Sequence, residues 1–174
     1  MEPRKLDAAR FSSNARRAFT LIELLVIISI IAILVAAGMV SFTNAQQKAR
    51  DGKRKTDLKS VQQALEQYFQ ANAKFPDTDG GRIKCNDGLD TSTISWGSAF
   101  TCNSTTYMSQ LPKDPQRTLE YYYYPIASGG TNFKYNVAAR LENTNDPDLT
   151  GLPSQCSSTP GWGGSSYNFC VTQQ

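Results

Sequence analysis

One uninterrupted apolar run near the N-terminus constrains this chain more than any other feature. Leu21–Val40 spans 20 residues and contains a single charged residue, Glu23. A helix of that length is about 30 Å long, which matches the hydrocarbon core of a bilayer. The run is apolar on every side, which favours a membrane span over the core helix of a soluble protein. A secretory signal peptide is the alternative, because Val35-Ala36-Ala37 resembles a small-residue cleavage site, although the run is long for a signal peptide.

The charges of the chain are unevenly distributed. Its 174 residues include 18 Lys and Arg, 15 Asp and Glu, and no histidine. Without histidine, His-dependent catalytic triads and His-ligated zinc sites are excluded. Residues 1–18 carry five basic and two acidic side chains, so the remaining 156 residues are formally neutral. A domain without excess positive charge is not expected to bind nucleic acid.

Glu23 is the one ionisable residue of the apolar run. A charged side chain near the bilayer centre costs about 2.5 kcal/mol or more, so such a residue is by default a candidate functional site. Glu23 lies only five residues after the Ala18–Phe19 junction, near the start of the run. The alternative is therefore a carboxylate that reaches the water at the membrane interface.

Residues 16–24, Arg-Arg-Ala-Phe-Thr-Leu-Ile-Glu-Leu, follow a basic leader and open the apolar run. Together these features resemble the prepilin cleavage and methylation signature of type IV pilins and type II secretion pseudopilins, over about residues 16–42. The resemblance implies cleavage between Ala18 and Phe19 on the cytoplasmic side, followed by N-methylation of the new Phe19 amine. The family usually has glycine before the cleaved bond. Ala18 departs from that pattern but, as the next smallest residue, is expected to permit cleavage.

The same resemblance implies a mode of assembly. In this family a glutamate at the position of Glu23 pairs with the amine at the position of Phe19, in a neighbouring subunit or in its own. A buried carboxylate needs such a cation, because unpaired burial is strongly disfavoured. The implied partners are further copies of the chain in a helical homopolymer, the prepilin peptidase, inner-membrane assembly platform proteins and, before assembly, the lipid bilayer. The implied location is a single-pass inner-membrane protein with an extracytoplasmic C-terminal domain, and later a pilus or pseudopilus filament.

The pattern beyond the membrane run continues the helix. Proline is absent between Arg4 and Phe75, and we predict one helix from Thr20 to Asn72. Hydrophobic residues recur at helical spacing in its second half and predict a face covered by a sheet: Leu58, Val61, Leu65, Tyr68 and Phe69. Six basic residues from Lys48 to Lys59 are interleaved with acidic ones, which favours a solvated face. Lipid headgroups or neighbouring subunits are the alternative partners of this basic segment.

The remainder of the chain has the composition of a small β domain. Ten of the twelve glycines lie from Gly80 onward. Residues rich in aromatic and β-branched side chains predict three strands, at Glu120–Pro125, Phe133–Leu141 and Tyr167–Thr172. Ser128–Thr131, with two central glycines, predicts a hairpin loop between the first two. The run Tyr121–Tyr124 should place two tyrosines on each face, with one pair packed on the helix.

These expectations define an α+β, pilin-like fold class: one long N-terminal α-helix, with its N-terminal half transmembrane, packed on a small antiparallel β-sheet. We divide the chain into a basic leader that is removed (1–18), the transmembrane or filament-core half of the helix (19–42), the amphipathic half (43–75) and a disulfide-stapled β domain (76–174).

Four cysteines fall in the β domain: Cys85, Cys102, Cys156 and Cys170. None forms a Cys-x-x-Cys pair and no histidine completes a zinc set, so disulfides are expected for an extracytoplasmic domain. Sequence alone leaves three connectivities open. We favour Cys85–Cys102 and Cys156–Cys170, because each closes a local loop; the second would staple the C-terminal region, as in many pilins.

A second, weaker similarity lies in the β domain. Leu111–Pro115 and the tyrosine run are similar to the loop-and-sheet region of major pseudopilins, although Gln116–Glu120 departs from the turn usual there. Asp146 and Asp148 could correspond to the calcium loop of that group. Two acids among Asn and Pro residues favour an ordinary polar turn, and no cofactor is expected.

The expected function is that of a structural subunit of a type IV pilus or a type II secretion-type pseudopilus. The alternative is an ordinary membrane-anchored or secreted binding domain that uses the apolar segment only as an anchor or export signal. No nucleophile motif or ligand cluster predicts an enzyme. The sequence does not distinguish a pilus from a secretion or competence pseudopilus.

Overall fold

The computed structural model describes residues 19–173, except 87, 89, 117, 118 and 161–166. The predicted leader, including Ala18, lies outside the described residues, as does most of the glycine-rich stretch before Tyr167. The chain divides into two compact units, Met1–Phe42 and Thr43–Gln174.

A single helix, α1, runs from Leu21 to Asn72. It ends shortly before Pro76, the first proline after Pro3. Its last residue, Asn72, is followed by Ala73, which has a left-handed backbone (φ 54°). The prediction of one long helix is confirmed. The predicted amphipathic segment extends to residue 75, whereas α1 ends at Asn72.

The N-terminal part of α1, from Leu21 to Phe42, is exposed wherever its side chains are described. Leu21 is 88% exposed and Ile33 70%. No stripe of this segment is covered within the described chain, as the all-round apolar pattern indicated.

The second unit is built around the amphipathic part of α1. Leu58, Val61, Leu65 and Tyr68 are fully buried, and Phe69 packs at the edge of the same cluster. These residues form one hydrophobic core with side chains of the β domain. The helical stripe is therefore confirmed as the face on which the sheets pack.

Three small antiparallel sheets cover this face. The first contains β1 (Asp77–Asp79), β2 (Arg82–Lys84) and β3 (Thr93–Ile94); the second contains β4 (Phe100–Cys102) and β5 (Thr105–Met108). The third has the order β6 (Tyr122–Ser128), β7 (Thr131–Ala139) and β8 (Phe169–Thr172). The three predicted strands correspond to β6, β7 and β8 with shifted ends.

The predicted hairpin joins β6 to β7. Ser128 pairs with Thr131, and the two residues between them, Gly129 and Gly130, have φ of 62° and 84°. Two consecutive left-handed residues are what a tight two-residue hairpin with the natural strand twist requires. Glycine adopts this conformation at no steric cost.

The tyrosine run alternates as expected. Tyr121 and Tyr123 are buried, whereas Tyr122 and Tyr124 are half-buried. The two buried hydroxyls are satisfied: Tyr121 donates to Asp57 Oδ2 at 2.7 Å and Tyr123 to the Pro76 carbonyl at 2.7 Å. The inward pair therefore contributes both apolar area and polar links between the sheet and the helix region.

Candidate functional site

The first candidate site is the start of α1. Thr20 Oγ1 accepts a hydrogen bond from the backbone N–H of Glu23 at 3.3 Å. Thr20 and Glu23 therefore have the spacing of a capping box, in which Thr caps the helix and the acid lies at the third helical position. A negative charge there also interacts favourably with the positive end of the helix dipole. Sequence reasoning did not identify Thr20 as the cap of α1, although the Thr-x-x-Glu spacing signals it.

The segment that follows Glu23 presents an apolar surface, and the hydroxyl of Ser29 is satisfied within the helix. The Ser29 hydroxyl donates to the Leu25 carbonyl at 2.8 Å, so it adds no unpaired donor to the apolar surface. Within the described residues, α1 is the one helix long and apolar enough to cross a membrane. The best 18-residue window has a mean hydropathy of 2.9 and none of it is buried.

The second candidate site is a buried charge cluster in the basic segment of α1. We define the Arg54 cluster as Arg50, Asp51, Arg54, Asp114 and Glu142. The solvated face predicted for residues 48–59 is wrong at its centre, because Arg54 and Asp51 are buried. Lys48, Lys53 and Lys59 are exposed, as expected.

The guanidinium of Arg54 contacts three carboxylates. Its Nε and Nη2 donate to Asp114 Oδ2 and Oδ1 at 2.7 and 2.8 Å, a two-point pairing. Its Nη1 donates to Asp51 Oδ1 at 2.9 Å and to Glu142 Oε1 at 2.7 Å. Only a planar, forked cation makes this set of bonds, so lysine would not replace Arg54.

The acids of the cluster also hold backbone. Asp51 accepts the N–H groups of Glu142 and Asn143, each at 2.9 Å. Asp114 Oδ1 accepts the N–H of Gln116 at 2.7 Å. The Arg54 cluster therefore fastens two separate loops to α1, one around Asp114 and one that follows β7.

The cluster shifts the acidity of its members. Hydrogen bonds from Arg50, and then from Arg54, hold the pKa of Glu142 at about 2, well below its ordinary value, although partial burial opposes this shift. Burial alone would lower the pKa of Arg54, but its hydrogen bonds to Asp114 and Glu142 outweigh this and raise it. The charged forms of Arg54 and Glu142 are thus the ones that these contacts stabilise.

The helical phase could have revealed this cluster. Asp51 and Arg54 continue the 3–4 spacing of Leu58, Val61 and Leu65 towards the N-terminus. Charged residues on a core-facing stripe indicate a buried ion pair rather than a solvated face, and the single acid of Leu111–Pro115 was an available partner.

The predicted calcium candidates lie next to the cluster. Asp146 and Asp148 flank Pro147 in a short 3₁₀ turn, Pro147–Leu149, which Asp146 caps by accepting the Asp148 N–H at 3.0 Å. The ammonium of Lys55 donates to Asp146 Oδ1 at 2.6 Å and to Asp148 Oδ2 at 2.7 Å. Both acids thus belong to a capped polar turn that is ion-paired with α1.

The four cysteines form two disulfides with the favoured pairing. Cys85–Cys102 links the residue after β2 to the end of β4, and Cys156–Cys170 links the 3₁₀ helix Ser154–Ser158 to β8. All four cysteines are buried. Asp90 lies close to the first pair, but sulfurs joined in a disulfide are not the thiolates that a metal would need.

Comparison with known proteins bears on the first site. A family model described as the prokaryotic N-terminal methylation motif matches residues 13–39. The chain is 34% identical over 72 residues to the type IV major pilin protein PilA of Myxococcus xanthus, covering 41% of this chain and 32% of PilA. The chain thus spans about a third of the length of PilA.

The other relatives are type II secretion system core proteins G. Identity to the Escherichia coli protein is 28% over 104 residues, covering 60% of this chain and 69% of the relative. Identity to the Vibrio cholerae protein is 29% over 121 residues, covering 70% of this chain and 79% of the relative. No solved structure gives a significant match. The resemblance of residues 16–42 is thereby confirmed: this chain carries the prokaryotic N-terminal methylation motif, and its relatives are a type IV major pilin and type II secretion core proteins G.

Proposed function

We propose that this chain is a structural subunit of a type IV pilus or a type II secretion-type pseudopilus, stored in the membrane and polymerised into a helical filament. One observation carries the proposal: the N-terminal methylation motif leads directly into a helix whose first half is apolar and exposed on every side. Such a surface requires a bilayer or other apolar helices around it. A filament built of packed α1 helices would supply the second environment, and the membrane the first.

Processing precedes assembly in this proposal. The prepilin peptidase cleaves between Ala18 and Phe19 on the cytoplasmic side, and the new Phe19 amine is methylated. The C-terminal domain lies outside the cytoplasm, where its two disulfides are stable. Inner-membrane assembly platform proteins then move subunits from the bilayer into the filament. The chain has no catalytic role, and no nucleic acid is a partner.

Glu23 directs assembly through its charge. In the bilayer it lies in the first turn of α1, where the positive end of the helix dipole lowers the cost of its charge. Inside a filament it is surrounded by apolar helices and needs a cation, which the Phe19 amine of a neighbouring subunit, or its own, provides. The pair fixes the axial register, while the apolar surface supplies adhesion.

Two substitutions separate the charge of Glu23 from the presence of a polar side chain at that position. Glu23→Gln keeps a polar side chain at the third helical position but removes the charge, whereas Glu23→Ala removes both; each variant keeps the Glu23 N–H that donates to Thr20 Oγ1. Both variants should be cleaved and inserted into the membrane, and both should be incorporated into filaments at least tenfold less than wild type. Measurement is by quantitative immunoblotting of sheared filaments against membranes. Normal incorporation of Glu23→Gln would overturn the ion pairing, and Glu66→Gln, in the second unit, is the control.

Deletion of the gene for this chain distinguishes a pilus from a secretion pseudopilus. Loss of surface filaments with normal protein export indicates a pilus, and loss of export indicates a secretion pseudopilus. If filaments and export both remain normal, and the mature chain begins at Met1 or at Gly38, the alternative of a membrane-anchored or secreted binding domain is supported.

A further inference from the structure

The turn at residues 146–148 contains two carboxylates directed at one point. Asp146 Oδ1 and Asp148 Oδ2 lie 2.6 and 2.7 Å from the Lys55 ammonium. Asp146 is largely buried, with 13% of its side chain exposed, whereas Asp148 is 59% exposed. Two carboxylates at such close range repel each other, so the turn needs a cation between them.

Lys55 provides this cation from within the chain. It lies on α1, four residues after Asp51, and its side chain is 21% exposed. Its ammonium also lies 5.9 Å from the centre of the Phe169 ring in β8, within cation–π range. Burial opposes the charge of Lys55, but hydrogen bonds to Asp146 and Asp148 prevail and raise its pKa. The site therefore holds a full positive charge at neutral pH.

The donor set does not suit calcium, which takes six to eight oxygen ligands at about 2.3–2.6 Å. Asp146 Oδ1 is already shared between the Lys55 ammonium and the Asp148 N–H. Among the described residues, no third acid joins Asp146 and Asp148 in a group able to hold a metal. A metal would have to displace the ammonium and would gain few ligands in exchange.

The turn is also fastened beside Lys55. Asp51, one turn earlier on α1, accepts the N–H groups of Glu142 and Asn143. The segment from Glu142 to Asp148 is thus held on α1 at two points, both made by protein groups alone.

We propose that Lys55 is the built-in cation of the 146–148 turn, with its ammonium at the position that a divalent cation would occupy between Asp146 and Asp148. The turn is therefore ordered without metal, and the protein neither binds calcium nor depends on it. Removal of the Lys55 charge exposes the two carboxylates and creates a weak, calcium-responsive site. This inference is independent of filament assembly.

The test uses the full chain in detergent micelles, stripped with EGTA. For wild type we expect no heat of calcium binding in titration calorimetry and the same Tm with EGTA as with calcium. Lys55→Met should have a lower Tm in EGTA than wild type and should regain part of that loss in about 10 mM CaCl₂, because a largely hydrated calcium ion can bind the two carboxylates weakly. Lys53→Met removes an exposed lysine from the same helix. This control should match wild type in both conditions.

Calcium binding by wild type with a rise in Tm would overturn the proposal, whatever the variants do. If Lys55→Met folds but has the same Tm in EGTA as in calcium, the claim that the ammonium occupies a cation position is overturned. Lys55 would then form only an ordinary ion pair with the two acids. Lys55→Gln, which keeps a long polar side chain, serves as the second variant if Lys55→Met does not fold. Lys55→Arg keeps the charge and should remain calcium-independent.

Discussion

At the scale of single residues, Arg54 is the largest fully buried side chain in the described part of the chain. A guanidinium with no exposure is tolerated because three carboxylates and two loops are organised around it. The two cations and three anions of the Arg54 cluster form hydrogen bonds with one another in place of the hydrogen bonds to water that burial removes. Such a network contributes little net stability over an apolar substitute of the same shape, but it is costly to break in part.

Arg54→Met should therefore lower the free energy of unfolding by about 3–5 kcal/mol, because it leaves Asp51 and Asp114 buried without their cation. Arg54→Lys should also destabilise, because an ammonium cannot reproduce the two-point contact with Asp114. Urea unfolding of the full chain in micelles measures both. Lys59→Met, at an exposed position on the same helix, is the matched control and should stay within about 0.5 kcal/mol of wild type. Equal stability of Arg54→Met and the control would contradict the assignment.

Glu142 gives the cluster a defined response to acid. Its folded-state pKa of about 2 lies below the ordinary value of 4.5, so the charged side chain stabilises the fold at pH above about 4.5. That contribution is lost as pH falls from about 4.5 through 2. The difference in unfolding free energy between wild type and Glu142→Gln should therefore be largest near neutral pH and shrink over this window. A pH-independent difference for Glu142→Gln would refute the linkage.

At the scale of elements, the helix and the main hairpin were predictable, and the short strands were not. The limits of α1 follow from the absence of proline and the continuous apolar pattern, and the β6–β7 hairpin from its two adjacent glycines. The strands β1–β5 are only two to four residues long. Segments this short show no alternation, and they exist because core packing and the first disulfide hold them.

The Cys156–Cys170 disulfide ties the edge strand β8 to the 3₁₀ helix Ser154–Ser158. β8 is an edge strand of four residues, paired only with β7 in its sheet. The double replacement Cys156→Ser/Cys170→Ser should lower the free energy of unfolding by about 3 kcal/mol on the chain-entropy account. In hydrogen exchange, amides of β8 should lose protection before those of β6. Unchanged exchange in β8 would mean that the bridge is not what holds this strand.

At the scale of the whole molecule, the net charge lies in the segment that the proposed processing would remove. The net charge of +3 belongs to residues 1–18, and the other 156 residues are neutral. Much of that neutral balance is internal, because the Arg54 cluster and the Lys55 turn pair helix cations with loop acids. The sequence predicted the neutrality but not these pairings, because they depend on which helix face the loops cover. The exposure of the apolar N-terminal part of α1 was predictable, because a helix that is apolar on every side has no single stripe to bury against a domain.

The central claim is that this chain is a processed filament subunit, and the N-terminus of the mature protein tests it most directly. Intact-mass and fragment mass spectrometry of protein extracted from the membrane of its native cell should show a chain that begins at Phe19 and carries one methyl group on its amine. Ala18→Gly should give the same product, and a bulky Ala18→Trp replacement should leave residues 1–18 attached. A wild-type chain that begins at Met1 or at Gly38 would contradict the account.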